Sequence, residues 1–107
     1  MSTTTKAEVL DLAGLITYQE GSVVSRQIIK TEAGNVTLFA FDQGQELTEH
    51  SAPFDALVHI IDGQAEINVS GEAFHLNAGE VILMPANDPH AVRATKKFKM
   101  LLTMIKT

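Results

Sequence analysis

The sequence predicts an all-β domain, a sandwich or barrel of short antiparallel strands. Three observations carry that reading. Runs rich in β-branched and apolar residues recur between glycine, proline and asparagine turn signals, about every 8–12 residues. Several runs alternate apolar and polar residues with the period of two that a half-buried strand needs. No segment carries the 3.6-residue periodicity of a long amphipathic helix. With 107 residues, 45% of them hydrophobic, the chain makes one domain with a real core.

The elements follow in order. Residues 1–6 (MSTTTK) are expected to be a disordered lead-in, and the domain proper runs over 7–107. Residues 7–15 suit a short helical turn or a short strand, closed by Gly14. Ser22–Lys30 is β-branched and strand-like, and Glu32-Ala33-Gly34-Asn35 reads as a hairpin turn. Val36–Asp42 places Val36, Leu38 and Ala40 on one face and Thr37, Phe39 and Phe41 on the other. Ala56–Ile61 runs into Asp62-Gly63, a tight-turn dipeptide. Ala65–Val69 alternates, Ser70-Gly71 turns, and Ala73–Leu76 leads to a turn at Ala78-Gly79. Val81–Met84 stops at Pro85; Pro85–Pro89 is a loop, followed by a short strand at His90–Ala94. In the last strand Phe98, Met100, Leu102 and Met104 alternate with Lys99, Leu101, Thr103 and Ile105. That strand is partly apolar on both faces, so its outer face is expected to be covered too. Parity assigns Phe41, Leu47, Val58, Ile60, Met84, Val92, Phe98, Met100, Leu102 and Met104 to the interior.

Composition excludes several functions. The net charge of −5 disfavours a phosphate backbone as partner, so no nucleic acid is expected. The one basic cluster, Lys96, Lys97 and Lys99, reads as a solvated turn. With no cysteine, disulfides, thiolate metal sites and cysteine nucleophiles are excluded. No apolar run approaches the roughly 18 residues of a membrane helix, and the polar start lacks a signal peptide's apolar core. No membrane partner and a cytoplasmic location are the resulting expectations.

Four histidines, His50, His59, His75 and His90, are the conventional nitrogen donors for a transition metal. In a barrel, residues i and i+2 share a face, so a His-x-His pair supplies two ligands and neighbouring strands the rest. His59 has parity opposite to Ala56, Val58 and Ile60 and is expected to face outward; His75 sits by a turn, and Arg93 also points away. Glu49 and Asp55 have parity opposite to His50, whereas Glu46 shares it.

Gly44-Gln-Glu-Leu-Thr-Glu-His50-Ser-Ala52-Pro-Phe-Asp-Ala56, with Gly63 beyond, resembles the first motif of the cupin superfamily. Gly79-Glu-Val-Ile-Leu-Met-Pro85-Ala-Asn87-Asp-Pro-His90 resembles the second. The segments SAPFDALV and Phe98–Lys106 resemble a subgroup of small bacterial cupins with the same His-x-Ala substitution. The resemblance implies a cupin-type jelly-roll β-barrel of two antiparallel sheets. It also implies a homodimer, with which outward Leu101 and Ile105 agree.

The motif is degenerate for metal. His50 and His90 fill two of the family's four ligand positions. Ala52 and Ala56 fill the other two and cannot coordinate; Asn87 stands for the usual glycine and Ala94 for the usual asparagine. The expectation is therefore a small-molecule-binding cupin with no cofactor. His50 and His90 are its polar anchors, Met84, Phe98 and Met100 its apolar walls, and Asn87 an amide at the mouth. The alternative is a metal-dependent oxygenase or isomerase. There His50 and His90 hold a divalent metal, completed by water, substrate or Asp55.

Overall fold

The computed structural model describes residues 6–107, so nearly all of the expected lead-in lies outside the described residues. Eight strands follow a short 3-10 turn at Leu12–Gly14. They are β1 (Val23–Thr31), β2 (Gly34–Phe41), β3 (Glu46–His50), β4 (Phe54–Val69), β5 (Glu72–Asn77), β6 (Val81–Met84), β7 (His90–Arg93) and β8 (Phe98–Lys106). All pairings are antiparallel. One sheet has the order β1-β2-β8-β4-β6, the other β5-β4-β7-β3. This is the curled, two-sheet antiparallel barrel that the motifs implied.

The two sheets share β4, and here the structure corrects the expected turn at Asp62-Gly63. The strand does not reverse. It runs unbroken for 16 residues and crosses from the first sheet into the second. Pairing with β8 slips by one residue between Ile60 and Asp62, which marks a bulge. Gly63 takes φ +77 to make the bend. A turn dipeptide and a bulge ask for the same thing, a residue with positive φ, so the local signal does not separate them. Ser70-Gly71, by contrast, is a true reversal, with φ +50 and +84.

The alternation of β4 explains the core. Ala56, Val58, Ile60, Ala65, Ile67 and Val69 are buried between the sheets. They pack with Phe41, Met84, Val92, Phe98 and Met100. Phe41 and Phe98 stack at 4.6 Å and 10°. Leu47, Leu102 and Met104 are partly buried against this cluster. A second, smaller cluster lies outside the first sheet: Leu38, Ala40 and Leu101 meet Ile16, Leu12, Leu15 and Tyr18. The outer face of β8 is thus covered at Leu101 by the chain's own N-terminal segment. Ile105, on the same face, stays 59% exposed. The segment is tied down by the Tyr18 hydroxyl, which donates to Asp62, and by Lys99 Nζ, which donates to the Ala13 carbonyl at 2.6 Å.

Among the described residues no helix is long and apolar enough to cross a membrane.

Candidate functional site

The site is built at one end of the barrel by β3, β7 and the loop between β6 and β7. Pro85 ends β6, and Pro85–Asp88 turns with the Asp88 N–H on the Pro85 carbonyl at 3.2 Å. Asn87 takes φ +70, at the position that type II turns reserve for Gly or Asn. That accounts for asparagine standing in a glycine's place: it is the non-glycine residue that enters this region most readily. Two bonds lace the loop to the start of β4 and the residues just before it. The Asn87 N–H donates to the Ala52 carbonyl at 2.8 Å, and the Ala86 N–H to Asp55 Oδ1 at 2.9 Å. The Ser70 N–H holds the Pro89 carbonyl at 2.8 Å. The loop therefore delivers His90 in a fixed register.

That register places His90 directly opposite His50. Their ring centroids are 4.3 Å apart and the planes meet at 65°. Leu47 pairs with Val92, but three residues of β3 then match two of β7, so β3 bulges before His50. The bulge lets Leu47 and His50 share the inward side despite their odd separation. It also turns Glu46 away. Glu46 shares the parity of His50 but stands in register with Arg93 on the outer face, a correction to simple alternation. Asp55 faces away from Ala56 along β4, and its carboxylate is engaged by the loop.

Both imidazoles are oriented in the same way. His50 Nδ1 lies 2.8 Å from the Thr48 carbonyl, and His90 Nδ1 lies 3.2 Å from the Asp88 carbonyl. A carbonyl can only accept, so each Nδ1 carries the proton and donates it. In the neutral ring this leaves Nε2 as a bare acceptor. Each ring is thus pinned by the carbonyl two residues before it. Sequence reading missed these two groups and had no signal for them, since every residue type offers a carbonyl. His50 is exposed and His90 half-buried.

The remaining candidates lie elsewhere. Met84 (3% exposed), Phe98 (0%) and Met100 (1%) are buried in the core between the sheets. Asn87 is exposed at the rim. His59 is half-buried on the outer face of the first sheet, and His75 lies on the outer face of the second, 3.9 Å from Glu66 Oε1. The four histidines therefore form one pair and two isolated residues.

The family's metal does not fit this donor set. Ala52 and Ala56 present methyl groups at the other two ligand positions, and a tight site needs three or four protein ligands. Among the described residues no three His, Asp or Glu side chains form a group able to hold a metal ion.

Comparison with known proteins agrees with the architecture. A family model for the cupin domain matches residues 37–106. A conserved Streptococcus pyogenes protein of unknown function is 38% identical, with TM-score 0.90, over 97% of this chain and 91% of that one. A cupin superfamily protein from Desulfitobacterium hafniense is 28% identical, with TM-score 0.89, over 96% and 94%. A cupin 2 conserved barrel domain protein from Leptotrichia buccalis is 41% identical, with TM-score 0.88; the match covers 91% of this chain and 47% of that longer one. No curated protein matches the chain. The motif frame from Gly44 to His90, the two-sheet barrel and these likenesses agree: the chain belongs to the cupin family.

Proposed function

We propose that this cupin binds a small molecule at the barrel mouth, through the His50–His90 pair and without a resident metal. One observation carries the reading: two facing imidazoles, 4.3 Å apart, each with Nδ1 occupied by a backbone carbonyl. Two Nε2 acceptors are left for a ligand. Such a pair suits a ligand with adjacent hydroxyl or amino donors, and when one ring is protonated it suits an anionic group. Met84, Phe98 and Met100 would serve as apolar walls from the core, and Asn87 offers an exposed amide in the loop before His90. Methyl groups at Ala52 and Ala56 make this end less polar than a four-ligand site, which favours a partly apolar ligand.

The first test is metal content. Tag-free protein, expressed with iron, manganese, zinc, nickel and copper available, should contain close to none and take up none on incubation. Near one metal per chain would overturn the reading. It would favour the metal-dependent alternative, with His50 and His90 as ligands and water or substrate completing the shell, since Asp55 is engaged by Ala86. The second test is a thermal-shift screen of small polyols, phenols, amines and carboxylates. Protection by a hit should be lost in both His50→Ala and His90→Ala. Protection unchanged in both would sink the assignment.

A further inference from the structure

The loop before His90 contains a bond with its own chemistry, Asp88–Pro89. Of the chain's three prolines, only Pro89 follows an aspartate; Pro53 follows Ala52 and Pro85 follows Met84. A peptide bond to proline is a tertiary amide, and its nitrogen takes up a proton and departs more readily than that of an ordinary peptide. An aspartate carries its carboxylate within reach of its own main-chain carbonyl carbon. Attack there closes a five-membered cyclic anhydride. Well-oriented attack within one molecule reaches effective molarities of about 10⁵–10⁸ M.

The fold supplies what the dipeptide alone lacks. The carbonyl of the Asp88–Pro89 bond is the one that accepts the Nδ1–H of His90, at 3.2 Å. A donor on that oxygen stabilises the negative charge that builds on it during attack. The donor is itself held, because His90 opens β7 in register with His50 on one side and Val69 on the other. The backbone is tied on both sides of the bond. Before it, the Asp88 N–H donates to the Pro85 carbonyl at 3.2 Å and the Asn87 N–H to the Ala52 carbonyl at 2.8 Å. After it, the Ser70 N–H donates to the Pro89 carbonyl at 2.8 Å. The half-buried Asp88 carboxylate makes no hydrogen bond or ion pair among the described residues, so no partner holds it back from its own carbonyl.

We propose that this chain cleaves itself between Asp88 and Pro89. A carboxylate oxygen of Asp88 attacks the Asp88 carbonyl carbon, and His90 Nδ1–H steadies the oxyanion. The C–N bond then breaks. Its electron pair stays on the Pro89 nitrogen, which takes a proton from water. The hydroxide left behind opens the anhydride, so the sum is hydrolysis of one peptide bond by one water, with no redox change. The two pieces stay in one barrel, since β7 pairs with β3 and β4, and β8 with β2 and β4. The product carries a free proline amine and two new carboxyl neighbours beside the imidazole pair. The proposal uses Nδ1 of His90, whereas the ligand reading uses Nε2, so neither rests on the other.

The test uses the full folded chain, held for days in mildly acidic buffer and followed by denaturing electrophoresis and intact-mass spectrometry. The expected products are residues 1–88 and 89–107, with masses that sum to the chain plus one water. The same chain unfolded in urea at the same pH reports the intrinsic lability of an Asp–Pro bond, and should cleave at least about tenfold more slowly. Asp88→Ala and Pro89→Ala should stop the cleavage. His90→Ala should slow it at least about tenfold with an unchanged far-UV spectrum, and His90→Gln, whose amide can also donate, should recover part of the rate. Hydroxylamine added to the folded wild type should capture the anhydride as a hydroxamate on Asp88, a readout that needs no variant to fold. A folded chain that cleaves no faster than the unfolded one would overturn the proposal. So would a wild-type rate in Asp88→Ala or in His90→Ala, or cleavage in hydroxylamine that leaves no hydroxamate.

Discussion

Replacing Gly63 by alanine tests how β4 passes between the sheets. Two costs are expected. The residue holds φ +77, and a side chain there costs about 1 kcal/mol. The second cost is contact. A Cβ at position 63 would overlap the Lys97 carbonyl oxygen and stand 2.9 Å from Phe98 Cα. Both are backbone atoms at the start of β8, so no flexible side chain can give way. Moving them displaces Phe98, which is fully buried and stacked on Phe41. Overpacking of this kind costs about 1–3 kcal/mol. The total is about 2–4 kcal/mol, a large part of the ~5–15 kcal/mol that holds a domain of this size. Gly71→Ala supplies the control. Gly71 has φ +84, but nothing lies within 4 Å of its Cβ position, so only the conformational cost applies, about 1 kcal/mol. Urea unfolding of both variants, with unchanged denaturant slope, measures the difference. Equal losses, or a smaller loss at Gly63, would refute the close approach of β4 and β8 as the reason for glycine there.

Three further outcomes are expected. Phe98→Ala should cost about 3–5 kcal/mol in the same assay, because it removes a fully buried ring and its stacking partner's contact; a loss near 1 kcal/mol would mean the core closes over the gap. Tyr18 is the only tyrosine and there is no tryptophan, so phenolate absorbance follows it alone. Partial burial, then the hydrogen bond to Asp62 and its negative charge, raise its pKa well above the ordinary value of 10.0. A raised folded-state pKa means stability present below about pH 10 and lost as pH climbs above it toward the folded value. Tyr18→Phe should remove that part of the alkaline slope, and a phenolate midpoint at 10 in the folded chain would count against the contact. Asn87→Gly should be neutral or slightly stabilising, while Asn87→Val should cost at least about 1 kcal/mol because β-branched residues resist φ +70. Equal melting temperatures for the two would contradict the left-handed turn.

Much of the barrel was legible in the chain, and particular residues show why. The alternation in Ala65–Val69 and in Phe98–Met104 reports burial on one side, and Val58, Ile60, Met84, Val92, Phe98 and Met100 all reach the core they were assigned to. The run Val81–Met84 ends at Pro85 as expected, because proline has no N–H for the ladder. The pairing of His50 with His90 was legible only as two motif positions. Its contact distance depends on a bulge in β3 that no residue announces, and the same bulge turned Glu46 outward. The Asp62-Gly63 dipeptide misled for a related reason: it encodes a positive φ, and the reversal or continuation of the chain depends on what lies across from it.

Side-chain chemistry alone determined the fold class, the absence of thiol chemistry, and the loss of two ligand positions to Ala52 and Ala56. Those properties are local, carried by residue identity and a period of two. Tertiary structure decided what is relational. It set the facing of two imidazoles and the tautomer that backbone carbonyls impose on them. It set the closure of Phe98 and Met100 into the core, and the covering of Leu101 by the chain's own N-terminal segment while Leu83 and Ile105 stay exposed. These depend on register between strands distant in sequence, and a one-residue slip at a bulge reverses every face beyond it.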